Sequence, residues 1–179
     1  DGRLAVDHDP ALGYEWEYYY FHGPTYGYDV AAANGSVVTF KCDLMLRNLG
    51  DTPDEWIGLA IYTESGIRVA YMTIETDGTF WFENVWYSPV PPFLILPGAE
   101  FDKYYSVKLE YDFATGVARY WLNSKLVYTS EPALDPESID WVLGDVDMIV
   151  GSYDRNRPAH VIGFFDNYDI KVSGRNTTQ

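Results

Sequence analysis

A chain of 179 residues, 47% hydrophobic and 17% aromatic, is long enough for one domain with a sizeable core and too apolar for a disordered segment. Its 27 acidic against 12 basic residues leave a net charge of -15. A field of that sign repels phosphate backbones, so nucleic acid is excluded as a partner, and anionic membranes and polyanionic glycans are disfavoured on the same ground.

One cysteine, Cys42, permits no internal disulfide, so cysteine usage does not fix the compartment. The nearest approach to a membrane span, residues 90–99, is broken by Pro91, Pro92 and Pro97, so no membrane insertion is expected. No signal peptide is visible, and a chain that opens at Asp1 without Met suggests a processed product. The triplets Asn34-Gly35-Ser36 and Asn176-Thr177-Thr178 are sequons of a kind that chance often produces.

Short alternating runs between Gly, Pro, Asn and Asp recur along the chain, with no helical period, repeat or linker. Glu15-Trp16-Glu17 sets two carboxylates on one strand face, inside an aromatic cluster that runs to Tyr20. Over 36–47, Val38, Phe40, Cys42, Leu44 and Leu46 alternate with Thr39, Lys41, Asp43 and Arg47, which predicts a half-buried strand with Cys42 as a small core residue. A second strand is predicted over 56–63. Residues 68–87 predict a hairpin about Thr76-Asp77-Gly78, with Gly78 in the left-handed position. That register opposes Ile74 to Phe80 and Met72 to Phe82 on the core face. Tyr71, Thr73, Trp81, Glu83 and Val85 then face outward.

Four prolines make 86–101 an irregular connection and exclude a central strand there. Strands follow over 105–129, with turns at Ala114-Thr115-Gly116 and Asn123-Ser124. After an acidic connection over 131–145, two closing strands are predicted near 147–153 and 160–172.

The run Tyr105-Ser106-Val107-Lys108-Leu109-Glu110-Tyr111-Asp112, then Thr115-Gly116, then Tyr120-Trp121-Leu122-Asn123-Ser124 resembles the concanavalin A-like lectin/glucanase domains, including the laminin-G-like group. Met148-Ile149-Val150-Gly151-Ser152 and Gly163-Phe164-Phe165-Asp166-Asn167-Tyr168-Asp169-Ile170 are similar to that family's closing strands. Ser124 stands where the family usually has glycine. The resemblance implies an all-β, two-sheet antiparallel jelly-roll sandwich, here one domain over 1–179, with ligands on a concave face or loop rim. Its members include lectins, carbohydrate-binding modules, glycoside hydrolases, polysaccharide lyases and structural domains, so activity has to be argued from a site.

The family's glucanases carry E-x-D-x-E on one strand. Glu75-Thr76-Asp77 starts that pattern but no second Glu follows, and Glu15-Trp16-Glu17 lacks the middle Asp. A lyase wants a Tyr or His acid/base. His8, His22 and His160 have no motif around them, while 16 tyrosines leave the Tyr option open. No HExxH, CxxC or P-loop is present.

Asp166 shares strand parity with Ile162, Phe164, Tyr168, Ile170 and Val172, which turns its carboxylate inward. An inward acid needs hydrogen bonds, a proton or a cation, and the resemblance implies a structural calcium near this position. Asn167 would then face outward, open to ligand. Sugar rings stack on aromatic faces beside polar groups, which singles out Trp81 with Tyr71 and Glu83, and Trp121 with Arg119. Together they predict one groove. The same aromatics also suit an oligomer interface.

These readings predict a non-catalytic, lectin-like domain acting outside the cell on neutral glycans. A glycoside hydrolase or polysaccharide lyase of the same fold, or a self-assembling extracellular subunit, are the alternatives.

Overall fold

The computed structural model describes residues 4–7, 16–22, 37–48, 55–84, 93–132, 143–152 and 161–173. They form β1 (Leu4–Asp7), β2 (Trp16–His22), β3 (Val37–Asn48), β4 (Glu55–Thr63), β5 (Arg68–Glu75), β6 (Thr79–Asn84), β7 (Phe93–Pro97), β8 (Tyr105–Asp112), β9 (Val117–Leu122), β10 (Lys125–Thr129), β11 (Leu143–Ser152) and β12 (Val161–Ser173). Sheet A has the order β1-β12-β3-β8-β9-β10, and sheet B the order β2-β11-β4-β5-β6-β7. Every pairing is antiparallel.

Alternation places one side of each strand between the sheets. Val38, Phe40, Cys42, Leu44 and Leu46 of β3 are all buried there, against Ile57, Leu59 and Ile61 of β4, Met72 and Ile74 of β5, and Phe80 and Phe82 of β6. Each large apolar side chain closed off in this way stabilises the fold by about 1.5–3 kcal/mol. Burial pushes the Cys42 thiol up to about 12, which leaves it an inert core residue.

The β5–β6 hairpin has the expected register, with Ile74 opposite Phe80 and Met72 opposite Phe82, and Gly78 at a φ of 84°. The Asn123-Ser124 turn takes left-handed φ at both residues, 49° and 68°. Ser124 therefore keeps the shape that glycine would give and carries its steric cost.

Two polar side chains pin the sheets to each other. Tyr120 of β9 is buried, accepts a hydrogen bond from the Tyr71 N–H at 3.3 Å and donates to the Glu83 carbonyl. Asn84 donates from Nδ2 to Ser130 Oγ at 2.7 Å, and to the carbonyls of Glu131 at 3.0 Å and Gly116 at 3.1 Å.

Two expectations need correction. The proline-rich stretch contains a strand, β7, paired to β6 at the edge of sheet B and closed by Pro97. An edge strand leaves one row of N–H groups outside the ladder, so proline is tolerated there where a central strand would reject it. The parity of β12 is also broken. Asp166 pairs with Asp43 and Asp169 with Lys41, so three steps on β12 match two on β3. This bulge, with Asn167 at a φ of 51°, flips the alternation. Before it Val161 and Phe165 point inward; after it Ile170 and Val172 do.

Candidate functional site

Asp166 therefore lies on the outer face of sheet A beside Asp43, half-exposed, and not in the core. Its Oδ1 accepts the Asn167 N–H at 2.8 Å, and Asn167 donates from Nδ2 to Asp43 Oδ2 at 2.8 Å. The inward acid that motivated a calcium ion is absent. Calcium wants several converging oxygens, whereas Asn167 turns a donor toward Asp43. No group of three His, Cys, Asp or Glu is placed to hold a metal among the described residues.

The expected groove also divides. Arg119 and Trp121 lie on β9, on the outer face of sheet A, where Trp121 stands opposite Lys108 and Arg119 opposite Glu110. Asn167 is on that face too, three strands away on β12. Tyr71, Trp81 and Glu83 lie on the outer face of sheet B. The whole sandwich separates the two groups, so they cannot form one surface. Nor are Tyr71 and Glu83 open, at 3% and 4% exposure. Trp81 is half-buried and stacks on Phe93 of β7 at 5.0 Å.

The outer face of sheet B is where polar chemistry and burial meet. Trp56, Ala60, Tyr71 and Ile149, with Tyr62 beside them, form an apolar cluster separate from the main core. Among these sits Asp147 of β11, 8% exposed. The β11 register sets Asp147 opposite Ala60 of β4, and Tyr71 and Glu83 continue the row across β5 and β6. On the other side of β11, the β2 backbone sets Tyr20 opposite Asp147 and His22 opposite Asp145.

Burial pushes the Asp147 carboxyl up to about 8, and the charge of Asp145 adds to the rise. Its Oδ1 is buried and has no hydrogen-bond partner among the described residues. Burial likewise lifts the Tyr62 hydroxyl to about 12, against the opposing pull of Arg68, to which it is hydrogen-bonded; Asp147 and Asp145 add to the rise. Arg68 stacks over Tyr71 at 3.9 Å from the ring centroid and reaches Glu83 Oε2 at 3.6 Å. Burial raises the Glu83 carboxyl while Arg68 holds it down, and Glu83 Oε1 is a second buried oxygen without a partner. The face thus offers a proton-holding acid, a phenol and a cation shared with one carboxylate.

A bulge brings Arg68 here. Ile61 pairs with Ala70 and Tyr62 with Arg68, so Val69 is the extra residue and turns into the core with Ala70. Without it Arg68 would share the core parity of Ala70 and Met72. Nothing in the sequence marks that bulge. Tyr62 was equally hidden, because 56–62 is apolar almost throughout and shows no alternation. Asp147 was missed because 131–145 reads as an acidic connection that takes in Asp145; the alternation of Val146, Met148 and Val150 with Asp145, Asp147 and Ile149 is the signal that could have set both acids on one face.

Spacing excludes one carboxylate pair. Asp147 and Glu83 are three strands apart in one row, about 14 Å, beyond the reach of either glycosidase geometry. Glu75, which opens the aborted glucanase pattern, is 7% exposed and accepts the Thr73 hydroxyl. Glu15, His8, His160, both sequons and the side chains of 16–22 lie outside the described residues.

No protein-family model matches the sequence, and no curated protein matches it. Solved structures do match. Alginate lyase A1-II', a member of polysaccharide lyase family 7, aligns at 10% identity over 77% of this chain and 63% of its own, with a TM-score of 0.60. The same lyase in its Y284F form with product (GGG) aligns at 9% identity over 96% of this chain and 80% of its own, with a TM-score of 0.69. A sialidase aligns at 13% identity over 97% of this chain and 15% of its own, with a TM-score of 0.63. The chain thus spans less than two thirds of the first lyase structure. At these identities the likeness is one of fold, and that fold is a concanavalin A-like jelly-roll sandwich.

Proposed function

We propose that the chain is a polysaccharide-cleaving domain of the lyase kind, acting outside the cell on glycan laid over the outer face of sheet B. Asp147 carries this reading: a carboxyl 8% exposed, one oxygen unpaired among the described residues, beside a phenol on the same face. Burying a polar group without a partner destabilises a fold, so such a group is kept for what it does. The likeness in fold to alginate lyases supports the same reading.

In the proposed reaction Asp147, once ionised, takes the proton beside a uronate carboxyl group. The electron pair of that C–H bond forms the new C=C bond, the glycosidic C–O bond breaks, and the leaving oxygen takes a proton from Tyr62. Arg68 faces the carboxylate and its developing enolate charge. The Asp147 value near 8 suits a base working at mildly alkaline pH, and a phenol near 12 keeps the proton it must deliver.

Incubation with a panel of uronate and neutral polysaccharides tests this. The expected result is growth of the ultraviolet absorbance of an unsaturated uronate, steepening as pH rises through about 8. New reducing ends without that absorbance would replace elimination by hydrolysis, for which Asp145 and Asp147, two residues apart and about 7 Å along β11, are the nearer pair. Retention of glycan without cleavage would return the chain to a binding role, which the half-buried Trp81–Phe93 stack at the sheet edge favours.

A further inference from the structure

The outer face of sheet A holds a charge arrangement that the overall balance conceals. Lys41 of β3 and Lys108 of β8 stand directly opposite each other in the ladder. Like charges in that position repel. Of the acids on this face, Asp43, two residues along β3 from Lys41, accepts from Asn167, with Asp166 opposite it. Asp169, opposite Lys41 on β12, pairs with Lys171 at 2.9 Å. Glu110 is shared between Lys108 at 3.4 Å and Arg119 at 3.2 Å, so one carboxylate answers two cations. Lys41 is exposed and has no ion-pair partner among the described residues. The Lys108 ammonium lies 3.0 Å from the centroid of the Trp121 ring on the neighbouring strand β9.

We propose that Lys41, Lys108 and Trp121 form a binding site for the carboxylate or sulfate of an acidic sugar residue, on the opposite side of the sandwich from Asp147. An anion that draws both ammonium groups onto itself offsets their repulsion and gains two charge-assisted hydrogen bonds. The indole and Leu126, its cross-strand neighbour at 48% exposure, supply the apolar flank that a pyranose ring packs against. Nucleic acid fits poorly. Its dense row of phosphates needs a longer cationic track than two lysines, and the net charge of -15 opposes it. A single acidic sugar needs only the Lys41–Lys108 pair. The site does not depend on the catalytic reading, because none of its residues touches sheet B.

The test follows the Trp121 and Trp81 indole N–H signals by NMR in the Asp147→Asn protein, where turnover cannot deplete the ligand, during titration with a short oligouronate at low salt. The Trp121 signal is expected to move and saturate. Lys41→Ala, an exposed change that leaves the fold intact, is expected to weaken binding by about threefold, and Lys41→Ala with Lys108→Ala by about tenfold, with unchanged melting. A neutral oligosaccharide of equal length is expected to leave Trp121 still. The proposal is overturned if Trp121 does not respond, if the double variant binds as the parent does, or if an acidic peptide or a short DNA duplex moves Trp121 equally well. Movement of Trp81 alone would overturn this site and leave the sheet B reading standing.

Discussion

On the outer face of sheet A, charged side chains pair with one another: Arg47 with Asp102 at 2.6 Å and Lys171 with Asp169 in the open, Arg119 with the half-buried Glu110. On the outer face of sheet B, Asp147 and Glu83 are shut in, each with an oxygen lacking a partner among the described residues. Exposed pairs gain and lose little, because water solvates either partner alone. A closed carboxyl has no such substitute and raises its own affinity for a proton. The contrast shows where this chain tolerates instability, and it is on sheet B.

The largest effect that would sharpen this contrast is expected at Asp147. Asp147→Asn should lower cleavage by about 10²–10⁴-fold, while raising stability at neutral pH by on the order of 2 kcal/mol. Activity assays and urea titrations measure the two. An active Asp147→Asn protein would remove the catalytic assignment.

Next comes the linkage. A carboxyl raised from its ordinary 3.8 to about 8 keeps its proton in the folded chain after the unfolded chain has lost it. That favours folding fully below about 4, and the advantage is lost as pH rises toward 8. Melting temperature should fall over that window in the parent and less steeply in Asp147→Asn. Parallel curves would mean that Asp147 titrates normally.

Tyr120→Phe removes the hydroxyl that serves the backbones of Tyr71 and Glu83. It should cost about 1–3 kcal/mol by orphaning buried polar groups, read by chemical denaturation. A neutral result would show that the two strands pair without it.

Two small effects complete the series. Ser124→Gly should stabilise by about 0.5–1 kcal/mol by relieving a left-handed serine. Arg119→Ala should change stability by less than about 0.5 kcal/mol. A loss of several kcal/mol at Arg119 would erase the contrast between the faces.

Much of the fold was readable from pattern. The β3 alternation and the β5–β6 register follow from period two, because only one parity gives each strand a dry face. The site went unread: Asp145 reads as part of a connection, although its alternation with Val146, Met148 and Val150 carried the signal. Bulges defeated it elsewhere: the one at Val69 turned Arg68 outward, and the one at Asn167 turned Asp166 out of the core.

Sequence by itself determined a two-layer β architecture, the dry face of most strands and an acidic surface overall, since composition and local alternation act within single strands. Tertiary structure alone decided which outward residues are neighbours and which are closed to water. Trp81 and Trp121 looked alike along the chain, yet the sandwich sets them on opposite sides. Net charge argued against acidic glycans, yet Lys41 and Lys108 meet across two strands more than sixty residues apart. Burial and cross-strand adjacency are products of packing, and no single strand carries them.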